Sequence, residues 1–380
     1  MADQTSLEAE IFSRIAGIGQ EAWDHCAGEA NPFISYAFLS ALEDSGSVGG
    51  RTGWHPRYLA LRGEGRVLAV APAYGKTHSY GEYVFDHGWA NAFERAGGRY
   101  YPKLQVASPF SPVPGPRLLS RHLGAAELAA GLEAACEAAG CSSAHVTFCT
   151  EAEWEGLGQA GWLQRLGTQF HWENQGYESF EDFLGALSSR KRKAIKRERR
   201  EAQAGLRFRA LTGPDLTPEI WARFYEFYLS TVDRKWGGAY LTPEFFPLLG
   251  ARLGEKVVLM LAERNGKPIA GALNLLGDGV LYGRNWGSVE DVPFLHFELC
   301  YYQAIDYAIT HGLKRVEAGA QGEHKIQRGY LPKPTYSAHY IAHPGLRNAV
   351  AQFLDVEREE VLRAMQVMAE EGPYRKTGEA

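Results

Sequence analysis

The sequence predicts an α/β protein of two repeated units, each a mixed, mainly antiparallel sheet flanked by helices. Three observations predict it. RYLALRGEGRVLAVAPAY (57–74) matches VLMLAERNGKPIAGALNLL (258–276): apolar strand, turn with glycine, apolar strand. Each continues to an aromatic, glycine and tryptophan neighbourhood, DHGWAN around Trp89 and GRNWGS around Trp286. The order helix, three antiparallel strands, helix, strand, helix, strand recurs in both halves, a duplication whose period of roughly 170 residues is far from that of a solenoid. At 380 residues the chain also exceeds what one core holds, since single cores stop growing near about 250–300 residues. The expected division is 1–175, 176–345 and a closing helix and tail over 346–380.

In the first unit the pattern predicts a strand over Ala9–Ile18 and two short helices broken at Asn31–Pro32. Strands Tyr58–Arg62 and Arg66–Tyr74 follow around the turn Gly63–Gly65, with a third strand at Glu82–Asp86. A helical piece, a strand at Leu104–Ala107 and a Pro-rich loop come next. The Ala-rich helix Ala125–Ala139, a strand at Ala144–Cys149 and the segment Trp162–Trp172 close the unit.

The second unit opens with one helix, Phe180–Ala204, whose part 184–204 is basic. Helix Pro218–Val232 carries Trp221, Phe224, Tyr225 and Tyr228 at helical spacing, a core face. After helix Phe245–Leu253, strands Val257–Glu263 and Pro268–Leu276 flank Asn265–Gly266, a strong hairpin signal. Strand Val280–Trp286 precedes helix Phe294–Thr310. That helix has Leu299, Tyr302, Ile305 and Ile309 on one face and His296, Cys300 and Gln303 on another. A short strand at Lys314–Ala318, a strand at Tyr336–Ala342 and the amphipathic helix Leu346–Glu371 complete the chain.

Composition narrows the function classes. Hydrophobic content of 45% is globular and net charge is −5, which argues against a protein coated for nucleic acid. No stretch approaches the roughly 18 apolar residues of a membrane span. The acidic amino terminus does not resemble a signal peptide. Five cysteines without CxxC spacing point to neither zinc nor a disulfide framework. A cytoplasmic location is expected. No His, Asp or Glu spacing indicates a metal.

The candidate site lies in Tyr282–Tyr340. Gln321, Glu323, His324, Lys325, Gln327 and Arg328 crowd within eight residues just past a strand, and in open α/β sheets ligands bind beyond the carboxyl ends of strands. Glu323 and His324 are candidates for moving a proton. As neighbours on an extended loop they point apart, so one faces the substrate. Lys325 and Arg328 would hold a phosphate or an oxyanion, or staple the loop by pairing with Glu317 or Glu323. Arg284, Asn285 and Trp286, at a strand end, are candidates to contact substrate. In the first unit Asp86, His87, Trp89, Tyr100, Tyr101 and Lys103 form a polar and aromatic set suited to a nucleotide base and its phosphates. A lone histidine such as His87 is more often structural. Cys300, mid-helix among apolar neighbours, is expected to be inert.

Eight of the eleven residues from Arg190 to Arg200 are basic, with one acid. Such a run repels itself along a helix, which favours phosphate or RNA backbone over a solvated face as its partner.

The motifs GEYVFDHGWANAF, YYPKLQVASPFSPVPGPRLL, FYLSTVDRKWGGAYLTPEFF, LHFELCYYQAIDYAI, EAGAQGEHKIQRGYLP and TYSAH lie between Gly81 and His339, within a likeness that covers about Asn31 to His343. Through them the chain resembles the FemAB-like proteins, a peptidoglycan biosynthesis/recognition family of GNAT-like proteins similar to Fem-type peptidyltransferases. The resemblance implies tandem GNAT-like (acyl-CoA N-acyltransferase) units and transfer of an acyl or aminoacyl group to an amine on a small-molecule or peptidyl substrate. Aminoacyl-tRNA and acyl-CoA are the competing co-substrates, with no tightly bound cofactor. The alternative is a non-catalytic GNAT-like module recognising a peptidoglycan precursor or nucleotide sugar.

GNAT enzymes seat the acetyl-CoA pyrophosphate on a Q/R-x-x-G-x-G/A loop; here the matching loop is GSVEDVPFLH, with one early glycine and two acids. The basic helix resembles the Fem segment R-x-x-I-[RK]-x-x-[ERK], which places Arg192 and Lys196 at its phosphate-contacting positions. Fem proteins also carry a Lys shortly before Gly–Phe, implicated in handling the aminoacyl-tRNA end. HKIQRGY replaces Gly–Phe by Gly329–Tyr330, and either Lys325 or Arg328 fits the Lys position. The coiled-coil arm of some Fem enzymes has no counterpart in this sequence.

Overall fold

Asn265 and Gly266 both take left-handed backbone (φ 52° and 74°), so the hairpin signal in the sequence does become the tight turn between Val257–Arg264 and Lys267–Gly277. The computed structural model describes residues 7–235, 238–319 and 322–375. The chain forms two compact units, Met1–Gly167 with Pro334–Leu362, and Thr168–Lys333 with Arg363–Ala380. The final strand and most of the closing helix thus associate with the first unit.

The first unit holds an antiparallel sheet ordered Glu8–Phe12, Tyr58–Gly63, Arg66–Ala71, Leu119–Ser120. The predicted hairpin is its centre, with Glu64 and Gly65 at positive φ. A second set runs Tyr336–Ile341, Ser143–Cys149, Lys103–Val106, Ala73–Lys76, Trp54–Pro56. Within it Lys103–Val106 and Ser143–Cys149 are parallel and the other pairs antiparallel. Helix Ala125–Ala138 lies on the hairpin so closely that a Cβ at Gly131 would come within 3.0 Å of Leu61. Leu59, Leu61, Leu128, Leu132, Val146 and Trp162 share this core.

In the second unit the strand order is Arg207–Leu211, Val257–Arg264, Lys267–Gly277, Val280–Ser288, Arg315–Glu317, Leu163–Glu173. All neighbours are antiparallel except Val280–Ser288 with Arg315–Glu317. Helix Pro218–Lys235 crosses the sheet, and Trp221, Phe224, Tyr225 and Tyr228 gather round Phe246, as their spacing predicted. The helix rests directly on strand backbone: a Cβ at Gly287 would overlap the Phe227 carbonyl oxygen. Only glycine allows that approach.

Several expectations are corrected. Ala9–Ile18 is a strand only to Phe12, followed by a 3₁₀ turn at Ile15–Gly17. Glu82–Asp86 is not a strand; buried ammonium groups, not a ladder, hold its carboxylates. Phe180–Ala204 is two helices, Phe180–Ala186 and Ser189–Gln203. At the break Leu187 pairs with Tyr374 and the Ser188 amide donates to the Pro373 carbonyl at 2.9 Å. The carboxyl-terminal segment therefore supplies the partners that a helix would have supplied. Phe294–Thr310 contains a π-helical turn, Glu298–Tyr302. Glu323–Arg328 is a 3₁₀ helix, not an extended loop. The two glycine–tryptophan pieces are not equivalent either: Trp89 sits in helix His87–Arg95 and Trp286 in strand Val280–Ser288.

Candidate active site

Strand Val280–Ser288 creates the site by losing its neighbour on one side while it bulges against its neighbour on the other. Its parallel pairing with Arg315–Glu317 ends at Tyr282 opposite Glu317. On its other side Ala272 faces Trp286 and Asn274 faces Gly283, so Arg284 and Asn285 together oppose Leu273. This is a β-bulge, a device that re-aims side chains and ends pairing beside functional sites. The parted strands line a cavity of about 70 Å³ with Asn274, Gly283, Arg284, Asn285, Trp286 and Ala318.

His296, Cys300 and Tyr301 complete the wall. Cys300 and Tyr301 lie in the π-helical turn Glu298–Tyr302 and His296 in the turn before it; π turns are found mostly as single-turn bulges at functional sites. The extra residue separates the predicted face: His296 and Cys300 line this cavity, whereas Gln303 lines a separate groove with Leu299 and Arg209. Sequence reasoning named Arg284, Asn285 and Trp286 but missed Asn274, His296, Tyr301 and the cavity position of Cys300. The polar Asn274 inside an apolar strand was the available signal. Of the five cysteines only Cys300 is not buried. A thiol-alkylating reagent on the native protein is therefore expected to modify Cys300 first, with the site read by peptide mass spectrometry; prior labelling of any other cysteine contradicts this geometry.

An aromatic chain leads from the cavity to the 3₁₀ turn. Trp286 and His296 lie 4.8 Å apart between ring centroids, and His296 and Tyr301 5.3 Å. The Tyr301 hydroxyl and His324 Nε2 are hydrogen-bonded at 2.9 Å. Burial pushes the Tyr301 hydroxyl far above its ordinary range, so it stays neutral. His324 and Glu323 are exposed.

The two cations of the turn have different fates. Arg328 donates to both Glu198 carboxylate oxygens at 3.0 and 2.9 Å and to the His324 carbonyl at 2.7 Å. Its guanidinium lies 3.4 Å above the Phe297 ring. It staples the turn to the basic helix, through Glu198 and not through the predicted Glu317 or Glu323. Glu317 instead lies 2.9 Å from Arg315, and burial pushes its carboxyl up to about 7. Gln321 lies outside the described residues.

Lys325 is 2% exposed and donates to the Gly319 carbonyl at 2.8 Å. Burial lowers its ammonium from 10.5 to about 8, against a raising effect of Cys300. Between those values the unfolded chain holds a proton there that the folded chain lacks, so this group makes stability rise with pH across that window. Below about 8 the folded protein pays for a buried charge. Lys325→Met is accordingly expected to stabilise the protein by about 2 kcal/mol at pH 7, after the loss of one hydrogen bond. The gain should shrink towards pH 10, and urea titrations at both pH values check it. Equal effects at the two pH values would show that burial is not what shifts this lysine.

The basic helix Ser189–Gln203 buries Ile195 and Ala202. Lys196 pairs with Glu181, Arg197 with Glu201 and Arg199 with Glu298. Among the described residues Arg190, Lys191, Arg192, Lys193 and Arg200 have no ion pair. Lys193, Lys196, Arg197 and Arg200 recur at helical spacing on its exposed side.

The first unit's set is arranged differently from its sequence reading. Lys103 is fully buried, and its ammonium donates to Ser79 (2.8 Å), Glu82 (2.7 Å) and Asp86. All three hydrogens are spent on the protein, so Lys103 holds a loop and does not face a phosphate. Trp89 is buried against His339, and the Tyr101 hydroxyl bonds Ser79. His87 is exposed. Among the described residues no group of three or more His, Cys, Asp or Glu side chains could hold a metal ion, and no helix is long and apolar enough to cross a membrane.

Residues 14–376 match the FemAB-like family, described as peptidoglycan biosynthesis/recognition. The crystal structure of FemX is similar to 90% of this chain and 100% of its own, with TM-score 0.54 and 13% identity. A conserved protein of unknown function from Bacteroides thetaiotaomicron VPI-5482 aligns over 87% of this chain and 99% of its own, with TM-score 0.53 and 9% identity. L-PGS from Bacillus licheniformis aligns over 86% and 98%, with TM-score 0.50 and 12% identity. At these identities the likeness is one of fold, a mixed α/β architecture of sheets flanked by helices. No curated protein matches in sequence.

Proposed function

Because this chain belongs to the FemAB-like family, we propose that it transfers an acyl or aminoacyl group from an activated donor to an amine on a cell-wall peptide precursor. The observation that carries this reading is the cavity at the parted strands with a hydrogen-bonded Tyr301–His324 pair leading out of it. Aminolysis of an ester or thioester needs a positioned amine and carbonyl and an exit for one proton. Arg284, Asn285 and Trp286 would position the substrate at the bulge. The amine proton would pass to the Tyr301 hydroxyl as that hydroxyl gives its own to His324, which is open to water. Glu323 stands beside His324 as the second acid–base group, and Lys325 and Arg328 position the turn.

Aminoacyl-tRNA is the donor we favour over acyl-CoA. The outward cations of Ser189–Gln203, with Arg192 and Lys196 among the helix's basic residues, suit an RNA backbone. In GSVEDVPFLH the Val289 amide donates to the Ile269 carbonyl and the Glu290 amide to Ser288 Oγ. Those amides are committed, and Asp291 adds negative charge where a pyrophosphate would sit, while Glu290 is paired with Arg264.

The test begins with ligand-induced melting shifts, using acetyl-CoA, a UDP-linked muropeptide and aminoacyl-tRNA. Turnover of the responding pair follows, in the native protein and in Tyr301→Phe and His324→Ala. A fall of about 10²–10⁴ in kcat at unchanged KM is expected for loss of the proton path. A stabilising acetyl-CoA alone would replace the donor assignment. A muropeptide that binds without any turnover would make the chain a recognition module.

A further inference from the structure

Tyr80 and Phe85 are 59% and 54% exposed, yet both belong to a segment whose backbone is pinned. The Tyr80 carbonyl accepts from Trp54 Nε1 and from Lys76 Nζ, each at 3.2 Å, and the Tyr80 amide donates to His78 Nδ1 at 3.1 Å. The Phe85 carbonyl accepts from Arg165 at 2.8 Å. Between them Glu82 and Asp86 are locked on Lys103. The irregular segment is therefore held by buried charge, at considerable desolvation cost, while its largest apolar rings face water. The rings are ordered relative to one another: the His87 ring lies 5.9 Å from Tyr80 and 6.3 Å from Phe85, nearly parallel to the latter at 28°.

We propose that Tyr80, His87 and Phe85 form a stacking platform for the pyranose ring of a glycan. A pyranose presents an apolar C–H face to an aromatic ring while its hydroxyls stay in water, so it needs exposed rings held rigidly and no free charge. That is what this surface offers. The cations touching the segment are all engaged: Lys76 with Tyr80 and Glu82, Lys103 with Ser79, Glu82 and Asp86, Arg165 with Glu357 and Phe85. None is left for a nucleotide phosphate. Three rings are also too small an apolar area for a stable protein partner, which needs about 800 Å² on each side.

The choice of an N-acetylated hexosamine glycan as occupant rests on the function proposed above. The test is equilibrium binding of the full-length protein to a soluble N-acetylglucosamine oligomer, followed by calorimetry and by saturation-transfer NMR. UMP serves as the phosphate-bearing arm. The oligomer should bind and UMP should not compete. Tyr80→Ala and Phe85→Ala should each raise Kd about tenfold, equivalent to about 1.4 kcal/mol, with melting temperature unchanged because both rings are exposed. A protein that binds no oligomer, variants that bind it equally well, or binding of UMP in its place would each overturn the proposal. Glycan binding by a protein that turns over none of the donor and acceptor pairs named above would defeat only the transferase reading. Turnover whose KM is unchanged in both variants would defeat only the platform.

Discussion

Replacing Lys103 by methionine is expected to destabilise the protein by about 3–5 kcal/mol, the range for removing one partner of a buried ion pair. Methionine fills a similar volume, so the loss is electrostatic. Glu82 and Asp86 are 4% and 3% exposed, and without this ammonium they keep only Lys76 and the Tyr100 hydroxyl as partners, so they must either stay charged out of water or take up protons. In the native protein burial raises Glu82 to about 7 even with Lys103 present. Burial would raise Asp86 too, but the Lys103 ammonium carries it far below its ordinary range. The sign of the pH dependence follows. In the variant both carboxyls titrate above their unfolded values, so its stability falls as pH rises through the carboxylate range. The deficit should be largest near pH 7 and shrink towards pH 4, as read by urea denaturation. A deficit below about 1 kcal/mol at pH 7 would place the pair among weak surface bridges and contradict its burial.

Arg328→Ala is the second large effect, expected at about 3–4 kcal/mol. The arginine side chain is 9% exposed and Glu198 12%, so the bidentate pair lies mostly out of water. Its loss would leave Glu198 with the Tyr302 hydroxyl and free the His324 carbonyl. A double-mutant cycle with Glu198→Gln isolates the pair, and a coupling of about 2 kcal/mol is expected for groups in one network. The same variant should also lower turnover, because the turn that carries His324 loses its anchor. Full stability and full activity together would show that the turn is held by other contacts.

What was legible in the sequence was local. Asn265–Gly266 and Gly63–Gly65 encode turns by their tolerance of positive φ. The spacing of Trp221, Phe224, Tyr225 and Tyr228 encodes a buried helix face, because side chains 3.6 residues apart share a side. The motifs between Gly81 and His339 were enough to identify the family. Arg284–Trp286 could be placed on a strand, since alternation marks where a strand runs, but they lie at a bulge inside Val280–Ser288 and not at its end.

Tertiary structure alone decided the rest, for reasons that spacing does not carry. A π-helical turn inserts one residue into the helical count, so Cys300 and Gln303, which share a face by periodicity, look into different cavities. The helix break at Leu187 depends on partners nearly 190 residues later, at Pro373 and Tyr374. By sequence Lys103 belonged to a set suited to a nucleotide, and Arg328 to a loop where it would hold a phosphate or staple the turn. Only the fold brought Glu82, Asp86 and Glu198 to them and turned ligand-seeking charges into structural ones, because a buried charge is kept only where its partner is delivered with it.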